Sequence, residues 1–202
     1  MTKIQSICVY CGSSSGHHPE YVEQARAFGT ELARRGIALV FGGGKVGLMG
    51  TVADAVLAAG GKVIGVIPRH LVDREVAHQG LTELHVVDTM HQRKTRMYEL
   101  SQAFVALPGG FGTLDEMFEM LTWAQLGLHT WPCAFLDVRG YYQQLQQAVG
   151  HMVEEGFVRT EQRDSVWFGS DIGDLFDWMT HYRASYTPKW MDPAMVSTVT
   201  GN

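Results

Sequence analysis

At 202 residues, 46% hydrophobic and 18% charged, the chain has globular composition, which argues against intrinsic disorder and predicts one domain with a small appendage. A net charge of −5 and a pI near 6.0 argue against a protein that coats nucleic acid or an acidic membrane, so any anionic ligand needs a local site. Cys8, Cys11 and Cys133 are too few for a disulfide framework, and no apolar run approaches the ~20 residues of a membrane helix. The short apolar run after Met1-Thr2-Lys3 is not a signal-peptide core, and the expectation is a soluble cytoplasmic protein.

Short β-branched runs alternate with longer helical patterns. Residues 4–10 read as a strand ending at Cys11-Gly12-Ser13-Ser14-Ser15-Gly16. Pro19 suits the first turn of a helix, and Val22, Ala25, Gly29, Leu32 and Ala33 share one face until Gly36. Residues 37–41 are a second strand, followed by a glycine-rich turn and a small-residue helix to Ala59. Residues 62–67 are a third strand and 68–80 an irregular loop. Then come a weak strand at 84–87, a helix at 90–101, a strand at 103–107 and a helix at 111–128. A strand at 133–136, a helix at 140–154, a strand at 166–168 and a helix at 172–182 complete the pattern. This order predicts a Rossmann-like, doubly wound α/β fold with a mostly parallel sheet flanked by helices. Residues 1–184 read as one nucleotide-binding domain and 185–202 as a tail without clear period. Ligands of such sheets bind beyond the carboxyl ends of the strands.

Three strand ends are rich in glycine or serine. The first offers the hydroxyls of Ser13 and Ser14 with accessible amides, suited to phosphate or ribose but also to an ordinary strand-to-helix turn. The Cys8-x-x-Cys11 pair lies in the strand instead of opening a helix, which argues against a redox role. The second, Gly42-x-Gly44-x-x-Gly47, has dinucleotide-fingerprint spacing. The following strand lacks the acidic residue that would grip a ribose, which argues against nicotinamide binding. Either the backbone at Gly43 and Gly44 approaches a nucleotide, or these glycines only make tight turns.

The third is the sharpest: Pro108-Gly109-Gly110-Phe111-Gly112-Thr113-Leu114-Asp115-Glu116. A strand stops at proline, glycines let backbone amides converge, and a helix begins around the threonine, an arrangement suited to an anion. No Lys-Ser/Thr follows, so it is not a Walker loop. Glu116 either complements the helix dipole or is poised over a sugar beside a bound phosphate. Arg93 and Lys94 fall in the first turn of the preceding helix, where cations oppose the dipole, so they face either an anionic partner or solvent.

Arg93-Lys94-x-x-Met97 and Pro108-Gly109-Gly110-x-Gly112-Thr113-x-x-Glu116, after Gly42-Gly43-Gly44, together resemble the Lonely Guy (LOG) family. Its members are nucleotide phosphoribohydrolases that release the free base from cytokinin riboside 5′-monophosphates, and they have often been labelled lysine decarboxylases. The resemblance runs from the first strand to about residue 182. It implies a Rossmann-like fold, a homodimer and catalysis by Arg93 and Glu116. It implies substrate contacts at Lys94, Gly110, Phe111, Gly112 and Thr113 and, by spacing, at Glu75 and Thr122. Gly109 completes the expected phosphate cradle, with Ser13 or Ser14 assisting. No pyridoxal-phosphate lysine site is visible, and neither cofactor nor metal is expected.

The implied reaction is hydrolysis of an N6-substituted adenosine 5′-monophosphate to base and ribose 5-phosphate. Positive charge builds on the ribose as the N-glycosidic bond breaks, which calls for a phosphate anchor and for a carboxylate beside C1′. Glu116 fits the second need, with Arg93 orienting it through its planar fork. Two other readings stay open: a nucleosidase acting on AMP or another unmodified monophosphate, and a non-catalytic nucleotide-binding protein. Leu114, Met117, Phe118, Leu121 and Ala124, with Met120 and Trp123, make two apolar stripes on one helix. One sheet cannot cover both, which predicts a twofold interface unless the tail or the 140–154 helix covers the second.

Overall fold

The computed structural model describes residues 4–72 and 77–184. Strands β1 (Ser6–Tyr10), β2 (Ala38–Phe41), β3 (Val63–Pro68), β4 (Glu83–Val87), β5 (Phe104–Ala106), β6 (Cys133–Leu136) and β7 (Val166–Gly169) form one sheet in the order β4-β3-β2-β1-β5-β6-β7. Every neighbouring pair is parallel. Helices α1 (Pro19–Arg34), α2 (Gly47–Ala58), α4 (Met90–Glu99), α5 (Phe111–Gln125) and α6 (Gln143–Glu154) lie in the crossovers. Short α3 (Arg69–Val72) lies between β3 and β4, short α7 (Thr160–Asp164) follows α6, and α8 (Ile172–His181) follows β7. The sheet grows one way from β1 to β4 and the other way from β5 to β7. The strand order therefore reverses between β1 and β5, and a crevice opens there beyond their carboxyl ends.

Both faces of the sheet are buried, as a parallel sheet between helices requires. Ile7, Val9 and Cys11 point into one core with Phe28 and Leu32 of α1, Val52 of α2 and Phe176 of α8. Cys8 and Tyr10 point into the other with Met97 of α4 and Met117 and Met120 of α5. This alternation puts the two thiols of the Cys8-x-x-Cys11 pair on opposite faces. Both are free and buried, and burial pushes each thiol's pKa up, the reverse of what a reactive cysteine needs.

The expected loop at 68–80 contains α3, and beyond residues 73–76 Ala77 forms a bridge with Gly44. The helix α7 was not expected. At four and five residues these helices are too short to show an apolar period. No described helix is long and apolar enough to cross a membrane.

Candidate active site

Three loops meet at the crevice because their backbones interlock. The Gly12 amide donates to the Pro108 carbonyl at 3.0 Å, and the Gly12 carbonyl accepts from the Leu48 amide at 3.0 Å. The loop after β1 is thus stitched both to the loop after β5 and to the start of α2. Gly47 has φ +61°, and a β-carbon there would fall 2.3 Å from the Ser13 carbonyl carbon, so the second loop seats directly on the first. Ser13 and Ser14 lie exposed at the rim. Gly43 and Gly44 are buried and serve a neighbouring junction: the Gly43 carbonyl accepts from the His78 amide, and Gly44 pairs with Ala77.

The third loop leads into α5 at the expected residue, with Gly110 as N-cap and Phe111 as first helical residue, and the helix ends at Gln125, short of the expected 128. Gly110 has no side chain to cap the helix, so the first amides of α5 keep their donor capacity for an outside acceptor. Thr113, 4% exposed, sits in the first turn. A β-carbon on Gly109 would lie 2.1 Å from its Oγ1 and 2.8 Å from the Gly12 nitrogen, so only glycine permits this approach. Phe111, by contrast, is 95% exposed.

Helix α4 opens on a capping box: the Thr89 hydroxyl accepts from the Gln92 amide, and the Gln92 side chain accepts from the Thr89 amide. The next residue, Arg93, points across to α5. Its Nη1 donates to Glu116 Oε1 at 2.6 Å, while Nε donates to the Val66 carbonyl at 3.2 Å. Both side chains of this ion pair are only about a tenth exposed. Lys94 turns to the same helix and pairs with Asp115 at 2.7 Å and Glu119 at 3.4 Å. Arg93 and Lys94, which follow the third helical residue Gln92 of α4, thus find carboxylates on α5.

Burial pushes the Glu116 carboxyl above the usual carboxylate range, against the pull of the Arg93 and Lys94 cations. A buried pair of this kind contributes little net stability, because desolvation offsets the attraction. Its chemical consequence is clearer: a carboxylate of raised basicity is held by a rigid fork at the edge of the crevice.

Thr122 lies two turns farther along α5. Its hydroxyl donates to the Phe118 carbonyl, and the residue lines a separate apolar cavity of about 140 Å³ with Leu121, Trp131 and Val158. Glu75 lies outside the described residues. Among the described residues, no group of three or more His, Cys, Asp and Glu side chains is placed to hold a metal.

Sequence reasoning missed three contributors. Gly42 is one: an added β-carbon would fall 1.9 Å from Arg93 Nη2, so the glycine makes room for the guanidinium. The others are Tyr141 and Tyr142, whose hydroxyls donate to the Gly109 and Leu107 carbonyls. Reading the end of β6 by the same strand-end rule applied to β1, β2 and β5 would have drawn attention to both.

Fold and crevice define a Rossmann-like α/β protein whose topological switch point carries a buried guanidinium–carboxylate pair beside a glycine-lined helix start. The family described as "Possible lysine decarboxylase" matches residues 49–179. A cytokinin riboside 5'-monophosphate phosphoribohydrolase of Arabidopsis thaliana is 49% identical over 162 residues, covering 80% of this chain and 76% of its own. A second Arabidopsis protein of that name is 42% identical across 100% of this chain and 95% of its own, and one from Rhodococcoides fascians is 48% identical over 83% and 85%. The chain belongs to this family, the Lonely Guy family that its paired motifs resemble. Among solved structures, the fold is similar to a molybdenum cofactor binding protein from Rippkaea orientalis, with TM-score 0.67 and 19% identity over 90% of this chain and 98% of that one. The molybdenum cofactor carrier protein of Chlamydomonas reinhardtii also has TM-score 0.67, at 18% identity over 89% and 98%.

Proposed function

We propose that this chain hydrolyses the N-glycosidic bond of adenosine 5′-monophosphates, N6-substituted ones above all, to free cytokinin or adenine base and ribose 5-phosphate. The names of its relatives support the reaction class. The observation that carries the reading is the Arg93–Glu116 pair, 2.6 Å apart and nearly buried at the switch-point crevice. A pure binding site for an anion has no use for a carboxylate there.

In this reading the 5′-phosphoryl group rests on the amides of Gly110, Phe111, Gly112 and Thr113, with Gly109 behind them and Ser13 or Ser14 reaching from the rim. Binding energy from this remote group positions C1′. Glu116 lies against the anomeric carbon. As the bond from C1′ to the base nitrogen breaks, the electron pair leaves with the base, and the ionised carboxylate stabilises the cationic ribose. Water then adds to C1′ and passes a proton to the carboxylate, whose raised pKa suits it to accept one. That proton goes on to the departed base nitrogen, which leaves neutral free base and an ionised Glu116. Arg93 stays protonated and holds the carboxylate in place. Lys94, tied to Asp115 and Glu119, tightens the junction of α4 and α5 near the ligand.

Incubation with AMP and with isopentenyladenosine monophosphate, followed by assay of free base, tests this. Base release from the N6-substituted nucleotide is expected, and its absence with both substrates overturns the reading.

We also propose that residues 1–184 act as one nucleotide-binding unit in the cytoplasm and pair as a homodimer. Support for the dimer comes from half-exposed Leu126, Leu128 and Met152 and from Phe157, 79% exposed. Light scattering at micromolar concentration is expected to give twice the monomer mass, and a monomer would reject the claim.

A further inference from the structure

The turn after β6 makes contacts that the reaction above does not use. Arg139 has φ +59°, Gly140 follows at φ +73°, and the Asp137 carboxylate accepts from the Tyr142 amide at 2.8 Å. An ion pair from Arg139 to Glu20 ties this turn to α1. The tight turn presents two consecutive tyrosines to the same loop. Buried Tyr142 donates to the Leu107 carbonyl at 2.7 Å, and half-exposed Tyr141 donates to the Gly109 carbonyl. Tyr141 also packs edge-to-face on Tyr142 and on Tyr21, and Tyr21 in turn lies against Gly16 of the first loop.

The peptide between Gly109 and Gly110 is the one that most needs holding. Neither residue has a side chain to restrict rotation, so turning this peptide over costs little in backbone strain. In a trans peptide the carbonyl and the amide point in opposite directions. Fixing the Gly109 carbonyl on Tyr141 therefore fixes the Gly110 amide on the side away from Tyr141. If the peptide turned over, an acceptor would stand where a donor is needed, and an anion there would meet a carbonyl oxygen.

We infer that Tyr141 is a positioning residue of the phosphate cradle, its hydroxyl locking the Gly109–Gly110 peptide with the amide toward the 5′-phosphoryl group. The inference rests on the cradle assigned under the proposed function, and it concerns affinity for the phosphoryl group instead of bond cleavage.

The test compares the full chain with Tyr141→Phe, which keeps the ring contacts and removes only the hydroxyl. Calorimetric binding of ribose 5-phosphate, KM and kcat for isopentenyladenosine monophosphate, and Tm are measured. Affinity for ribose 5-phosphate is expected to fall, and KM to rise, by about three- to tenfold, the scale of one net hydrogen bond. Both kcat and Tm should move little. Tyr142→Phe is the control for structure: it removes a buried hydrogen bond, so Tm should drop without a selective loss of phosphate affinity.

Unchanged ribose 5-phosphate affinity in Tyr141→Phe overturns the inference while leaving base release by the parent chain intact. So does a fall in kcat with KM constant. A parent chain that binds ribose 5-phosphate through Tyr141 but releases no base overturns the proposed reaction and leaves this inference standing. A parent chain that binds no ribose 5-phosphate overturns both.

Discussion

Gly42 lies directly beneath Arg93: a β-carbon at position 42 would fall 1.9 Å from the guanidinium Nη2. The end of β2 thereby decides where the fork that grips Glu116 can sit. The clash is with the far end of a long side chain, so the chain can fold by swinging Arg93 aside. Gly42→Ala is expected to keep its Tm within a few degrees and to lose about 10²-fold in kcat/KM, the scale of a catalytic group displaced by about an ångström. Thermal melts beside initial rates check both halves of this expectation.

Gly109→Ala differs because the obstacle includes backbone. Its β-carbon would meet Thr113 Oγ1 at 2.1 Å and the Gly12 nitrogen at 2.8 Å, forcing the first and third loops apart. We expect a stability loss of about 1–3 kcal/mol, on the scale of overpacking, together with loss of ribose 5-phosphate binding. Urea unfolding and calorimetry measure the two.

In the proposed reaction the Glu116 carboxylate is the active form, so kcat/KM should decline as pH falls through a value above the usual carboxylate range, not at that of a free glutamate. Stability should move the other way. The folded state binds this proton more readily than the unfolded chain, so the group's contribution weakens as pH rises from the ordinary glutamate pKa through the raised one. A kcat/KM plateau extending unchanged down to the ordinary glutamate pKa would contradict the assignment.

Much of this arrangement is local in sequence and was legible there. Glycine runs at the ends of β1, β2 and β5 are signals within single loops, and the basic pair opening α4 pointed to an anionic partner that α5 supplies at Glu116, Asp115 and Glu119. What stayed hidden depends on distance along the chain. Tyr141 reaches Gly109 across 32 residues, and Gly42 meets Arg93 only because β2 ends beneath α4. No spacing rule encodes either contact. Gly43 and Gly44, read as possible nucleotide contacts, face Ala77 and His78 because the chain after β3 returns over the second loop.

His129 provides a stability prediction away from the crevice. Only 7% exposed, it donates from Nε2 to the Met120 carbonyl at 2.9 Å and accepts at Nδ1 from the Trp131 amide at 3.1 Å. The ring is therefore neutral, and burial holds its pKa below the ordinary histidine value of 6.5. The unfolded chain takes up the proton first as pH falls. This contribution is thus complete above the unfolded pKa and is lost as pH drops through 6.5 toward the folded value. Between pH 7.5 and 5.5, denaturant midpoints of the parent should fall further than those of His129→Gln.

The central claim is that one ionised carboxylate on α5 stands against the anomeric carbon of a phosphate-anchored nucleotide. Glu116→Gln, near-isosteric and uncharged, tests it most directly in single-turnover release of base from isopentenyladenosine monophosphate. The account predicts retained ribose 5-phosphate binding with base release slowed by about 10²-fold or more. Release at the parent rate would contradict it.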